Sequence, residues 1–176
     1  MRPKIIALLT KRISDCIEKL SVYQLGQVAS VTDPQTLEIL KLGDFILSKA
    51  DMMSEVDLQV CLHAFRDSAD HRYKLEAMCS KNLYRTSLET VGNILYQYAA
   101  DKRGSETFIN ELVTRVESCD LDAEITDARQ LLQLLGALKM CGRTDSAVYR
   151  EMKTKVMESG VMESLGKTEQ DFVNSL

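Results

Sequence analysis

Helix-start signals recur along this chain at near-constant spacing. Ser21-Val-Tyr-Gln24, Ser54-Glu-Val-Asp57 and Thr86-Ser-Leu-Glu89 each set a hydroxyl three residues before an acid or amide. In that arrangement the two side chains satisfy each other's backbone N–H groups at the first turn of a helix. Thr126 opens a fourth helix, so the starts fall at offsets of 33, 32 and 40 residues. Apolar residues at helical spacing follow every one of them, as in Leu58, Cys61, Leu62 and Phe65. Self-similarity at such a period marks an array of helical repeats, whose units bury their apolar faces only by stacking.

Further starts lie between these. Asp33-Pro34 supplies a cap followed by proline at the first helical position. Asp70, Ser105 with Glu106, Thr144-Asp145 and Thr168-Glu-Gln-Asp171 open others, while Gly104 and Gly142 end helices. The expected fold class is therefore all-α, with no sheet. The expected architecture is a right-handed solenoid of about five antiparallel helix pairs, roughly 3–31, 34–68, 70–103, 105–142 and 144–176. Short loops make sequential helices antiparallel, and residues 1–176 read as a single domain. A closed bundle is the competing arrangement.

Stripe width favours stacking. Segment 3–19 is apolar on one side (Ile5, Ile6, Leu9, Ile13), as an end cap should be. Helix 35–50 instead spreads Leu37, Ile39, Leu40, Leu42, Phe45, Ile46, Leu47 and Ala50 over most of its circumference, and helix 126–141 does much the same. Helices of that kind must be covered on most sides.

The bulk numbers agree. Hydrophobic content of 45% with 27% charged residues is ordinary for a globular chain, and two prolines with eight glycines are too few for an all-β design. Five cysteines lie far apart without a CxxC pair, which predicts reduced, mostly buried thiols in a reducing compartment. No run of apolar residues is long enough to cross a bilayer, so membrane insertion is not expected. Arg2, Lys4, Lys11 and Arg12 precede the first acid, Asp15. That start fits either an organellar targeting helix or a first helix with a solvated basic edge.

Candidate chemistry is sparse. Gly160-Val-Met-Glu-Ser-Leu-Gly-Lys167-Thr168 imitates a phosphate-binding loop, but five residues separate its glycines and an amphipathic helix precedes it. Cys61 and His63 point to different faces of one helix, and His71 and Cys79 are eight residues apart, so neither pair chelates a metal. Asp120, Asp122, Glu124 and Asp127 lack the glycine and spacing of a calcium loop and read as a solvated stretch beside a helix N-terminus. No nucleophile has a local signature, so the chain reads as a non-enzyme without cofactor or small-molecule substrate. Lys102, Arg103 and Arg143 gather at interhelix corners and are the candidates for RNA-phosphate contact. Against that, Tyr73, Tyr84, Tyr96 and Tyr98 are expected at core-facing or mixed positions, leaving few rings to stack on bases.

The run Leu131-Leu-Gln-Leu-Leu-Gly-Ala-Leu-Lys-Met-Cys-Gly-Arg-Thr-Asp145-Ser-Ala-Val-Tyr-Arg-Glu-Met resembles degenerate organellar helical repeats of the octotricopeptide, heptatricopeptide and FAST-kinase-like families. Leu58-Gln-Val-Cys-Leu-His-Ala-Phe-Arg-Asp-Ser-Ala-Asp70 is similar. The resemblance implies a non-catalytic scaffold subunit of a mitochondrial ribonucleoprotein, either an RNA-processing complex or a ribosome, located in the matrix. The alternative is a structural accessory subunit of a mitochondrial energy-converting complex that touches no RNA; outside mitochondria the expected location is cytoplasmic. The chain is shorter than such families and carries no recognisable effector domain, which favours a subunit role. Its partners would be other protein subunits, docking on apolar residues near the C-terminus: Met157, Met162, Leu165, Phe172 and Val173.

Overall fold

A computed structural model describes residues 3–39, 41–125, 127–158 and 166–174 of the 176-residue chain. It is all-α and 79% helical, with no strand among the described residues. The chain divides into two compact units, Met1–Lys81 and Asn82–Leu176, with the division inside the predicted pair 70–103.

The first unit holds α1 (Pro3–Cys16), α2 (Val22–Ser30), α3 (Pro34–Ile39), α4 (Leu42–Leu47), α5 (Glu55–Ala64) and most of α6 (Ala69–Asn82). The reciprocal caps at Ser21 and Ser54 form as expected, with Gln24 and Asp57 as third residues. Asp33 caps α3, accepting from the Thr36 amide at 3.0 Å and the Thr36 hydroxyl at 2.7 Å. Leu25 and Ala29 of α2 are buried, as are Leu58, Cys61 and Leu62 of α5, on which α2 packs. Gly26 permits the close approach: a Cβ there would lie 2.8 Å from Val60 Cγ1.

The helix expected over 35–50 is broken. Lys41 adopts φ 48°, which ends α3 and starts α4 in a new direction. The break resolves the wide apolar stripe, because Leu42 and Ile46 turn fully inward while Lys41 and Asp44 stay exposed. The start of α6 is also displaced. It opens at Ala69 with Ser68 as the preceding residue, and Asp70, expected as its cap, lies inside the first turn.

The second unit holds α7 (Leu88–Asp101), α8 (Glu106–Glu117), α9 (Leu121–Glu124), α10 (Ala128–Met140), α11 (Ala147–Glu158) and α12 (Lys167–Asn174). Ser87, not Thr86, caps α7, accepting from the Thr90 amide at 3.3 Å. Thr86 is already engaged: its hydroxyl donates to the Asn82 carbonyl at 3.1 Å and closes the preceding turn. Asp127 caps α10 from 2.8 Å, whereas Thr126 lies outside the described residues. Ser146 takes the cap expected of Thr144-Asp145, and α12 opens at Lys167, one residue before Thr168. The four starts thus become Ser21, Ser54, Ser87 and Asp127, at offsets of 33, 33 and 40.

Here α7 packs on α10 and α8, α10 on α11, and α8 on α11. Leu131, Leu132, Leu134, Leu135 and Leu138 of α10 are all buried, so its wide stripe is covered as anticipated. Gly92 of α7 faces Leu134, to which an added Cβ would come within 2.9 Å. The segment expected as a solvated acidic stretch folds partly into α9, where Asp120 accepts from the Asp122 and Ala123 amides. Glu124 pairs with the buried guanidinium of Arg115, and Lys155 with Asp122.

Candidate functional site

Helices α7 and α10 end in the same way. After α7, the Lys102 amide donates to the Ala99 carbonyl and the Arg103 amide to the Tyr98 carbonyl, at 3.4 and 3.2 Å. After α10, Gly142 donates to Lys139 and Arg143 to Leu138, at 3.0 and 2.9 Å. Both are left-handed helix stops that satisfy carbonyls otherwise orphaned at a C-terminus. Gly142 takes its φ of 70° without strain, but Lys102 adopts φ 50° with a side chain attached. The residue after each stop is an arginine, favourably placed against the negative end of its helix dipole.

The three candidate phosphate contacts all lie in this unit, just past the ends of two helices that pack on each other, α7 and α10. Arg143 Nη2 donates to Asn110 Oδ1 at 2.9 Å. Asn110 lies near the start of α8, the helix that follows the Lys102-Arg103 corner directly. Lys102, Arg103 and Arg143 are all exposed, on rigid helix ends rather than long loops. Exposed Asp101, Glu106 and Asp145 line the same corners. The site therefore offers oriented cations without net charge, suited to hydrogen-bonding a phosphate or carboxylate rather than attracting one from afar.

The first unit holds a cavity of about 490 Å³ between the end of α2, the α3–α4 break and the α5–α6 corner. On its wall Ser68 Oγ lies 2.8 Å from His71 Nδ1, and His71 Nε2 lies 3.5 Å from Asp44 Oδ1. No sequence signal found this group, because Asp44 is distant in the chain from the other two. The arrangement resembles a nucleophile, base and orienting acid, but it lacks the features that activate a serine. Asp44's side chain is 69% exposed, so solvent screens its hold on the imidazole. Ser68 contacts His71 across a single helical turn, and the ring packs on Phe65 at 5.2 Å between centroids. His71 also fills the space beside Gly43, where a Cβ would lie 2.3 Å from the ring. It is held as a packing residue.

The tyrosine expectation needs correction. Tyr98 is buried against Phe108 in an edge-on contact at 5.5 Å. Tyr73, Tyr84 and Tyr96 are exposed instead, Tyr73 to 69%. Each lies on the outward arc of its own helix or turn rather than at the core-facing or mixed position expected of it, whereas Tyr98 faces the core as expected.

None of the five cysteines forms a disulfide; Cys61 and Cys79 are buried and the other three half-buried, so fewer are sequestered than expected. Burial, helped by Asp57, pushes the Cys61 thiol up to about 12. Burial and Glu124 push Cys119 up to about 11. Such thiols stay protonated at neutral pH and are poor nucleophiles. Among the described residues no group of three or more His, Cys, Asp or Glu could hold a metal ion, and no helix is long and apolar enough to cross a membrane.

Of the C-terminal docking residues, Met157 is 54% exposed. Val173, expected at a partner surface, is instead 2% exposed, covered by its own chain. Met162 and Leu165 lie outside the described residues, as does the side chain of Phe172. Comparisons with protein-family models, with curated proteins and with solved structures give no match.

Proposed function

We propose that this chain is a non-catalytic helical-repeat subunit of a larger assembly, a mitochondrial ribonucleoprotein engaged in RNA processing or translation. The observation that carries the reading is the repeated helix end. Arg103 and Arg143 occupy the same place in two like stops, and Arg143 is bonded to Asn110 of α8, the helix that follows Arg103. Helices at like positions also pack on one another, α2 on α5, α7 on α10 and α8 on α11. Such like-on-like contact within each unit supports stacked helix pairs, and the proposed arrangement is a right-handed stack of antiparallel pairs, an architecture whose edges serve as binding surfaces.

Purification of tagged protein from native organelles, with and without ribonuclease, tests the reading. Co-purifying RNA that crosslinks at Lys102, Arg103 or Arg143 supports it. A second reading, an accessory subunit of an energy-converting complex, draws on the charge balance contributed by Asp101, Glu106 and Asp145. Protein partners that survive ribonuclease, with no RNA crosslink, favour that alternative.

A further inference from the structure

The outward face of α6 sets an aromatic ring among cations. At about 100° per residue, Tyr73, Lys74, Ala77 and Lys81 fall within one arc of roughly 100°, and all four are exposed. Leu75, Glu76 and Cys79 occupy the opposite side and are buried. The helix is thereby anchored with its orientation fixed. Tyr73 keeps 69% of its surface exposed, and neither its hydroxyl nor its ring has a partner among the described residues. Lys74 and Lys81 likewise make no ion pair among the described residues. Asp70, one turn nearer the helix start, is the exposed acid on this face, so two cations oppose one anion. Ala77 leaves open space between ring and distal ammonium.

We propose that this face of α6 binds single-stranded nucleic acid, with a base stacked on Tyr73 and backbone phosphates held by Lys74 and Lys81. An exposed ring beside unpaired cations matches the two contacts that hold an unpaired strand, base stacking and phosphate neutralisation. Lys74 and Lys81 stand about 10 Å apart along the helix, so each flexible side chain can reach a different phosphate of one strand. A duplex keeps its bases stacked inside and offers nothing to the ring, so single strands are preferred. The inference rests on the reading that the protein contacts RNA, but it locates a stacking surface on residues apart from the Lys102, Arg103 and Arg143 corner.

The full chain is titrated with a fluorescein-labelled oligouridine of about 12 nucleotides, a length within the usual range for single-strand sites. Tyr73→Ala weakens binding about tenfold, whereas Tyr73→Phe, which keeps the ring, binds as the parent does. Replacing Lys74 and Lys81 by Gln lowers the salt dependence of log K by about 1.4, at roughly 0.7 per phosphate contact on a single strand. All three substituted positions are exposed, so the variants retain the parent helix signal. Unchanged affinity of Tyr73→Ala, with binding lost on charge reversal at Lys102, Arg103 and Arg143, overturns this inference and leaves the functional reading standing. Absence of any oligonucleotide binding, with Tyr73→Ala instead releasing a co-purifying protein, overturns both.

Discussion

Lys102 shows what one residue contributes against its own stability. Its counterpart Gly142 occupies the left-handed region at no steric cost, whereas a lysine there carries about 1 kcal/mol of strain. Lys102→Gly is therefore expected to raise the unfolding free energy by about 0.5–1 kcal/mol, and Gly142→Ala to lower it by a similar amount. Urea titration measures both. If Lys102→Gly stabilises the protein and also weakens the proposed RNA contact, the lysine is kept for binding. The buried thiols set a second expectation. Cys61 is raised from an ordinary value near 9 to about 12, so the folded state retains a proton that the unfolded chain releases. That stabilisation is complete below about pH 9 and is lost progressively as pH climbs toward 12. Unfolding free energy should thus fall above pH 9, and Cys61→Ala should flatten the decline whatever its effect on absolute stability. An identical pH slope in the variant would refute the assignment.

At the scale of helices, glycine marks where two of them approach most closely. Gly26 meets α5 and Gly92 meets α10. A helix interior ordinarily gains about 1 kcal/mol from Gly→Ala. At Gly92 the new methyl would press on Leu134, which is 1% exposed and has nowhere to move. Overpacking costs about 1–3 kcal/mol, so Gly92→Ala is expected to destabilise by about 1 kcal/mol, seen as a lower urea midpoint. Helix identity and order were legible in the sequence because caps and apolar spacing are local signals. Ser21, Ser54, Asp33 and Ser105 hold the roles their context gave them. At Thr86-Ser87 the sequence offers two adjacent capping residues, and the local structure chooses between them: the Thr86 hydroxyl is taken by the Asn82 carbonyl one turn earlier, which leaves the cap to Ser87. The break at Lys41 was not legible, since neither proline nor glycine stands there. The Ser68, His71 and Asp44 group and the outward tyrosines were missed because facing depends on neighbours distant in sequence.

For the molecule as a whole, circular dichroism should report helix near the 79% of the structure and no appreciable strand signal. A helix fraction below half would contradict the architecture described above. The like-on-like packing of helices carries a kinetic consequence. Starts of packed partners stand 33 residues apart for α2 and α5 and 40 for α7 and α10. Loop-closure entropy grows slowly over such separations, and folds built from near-neighbour contacts form in microseconds to milliseconds. During synthesis a helix waits only for the next forty or so residues to be added before its partner arrives. At about 5–20 residues per second that wait is a few seconds. An apolar face such as that of α2 is thus left uncovered only briefly on the ribosome, and the first unit can complete its core while the second is still being made.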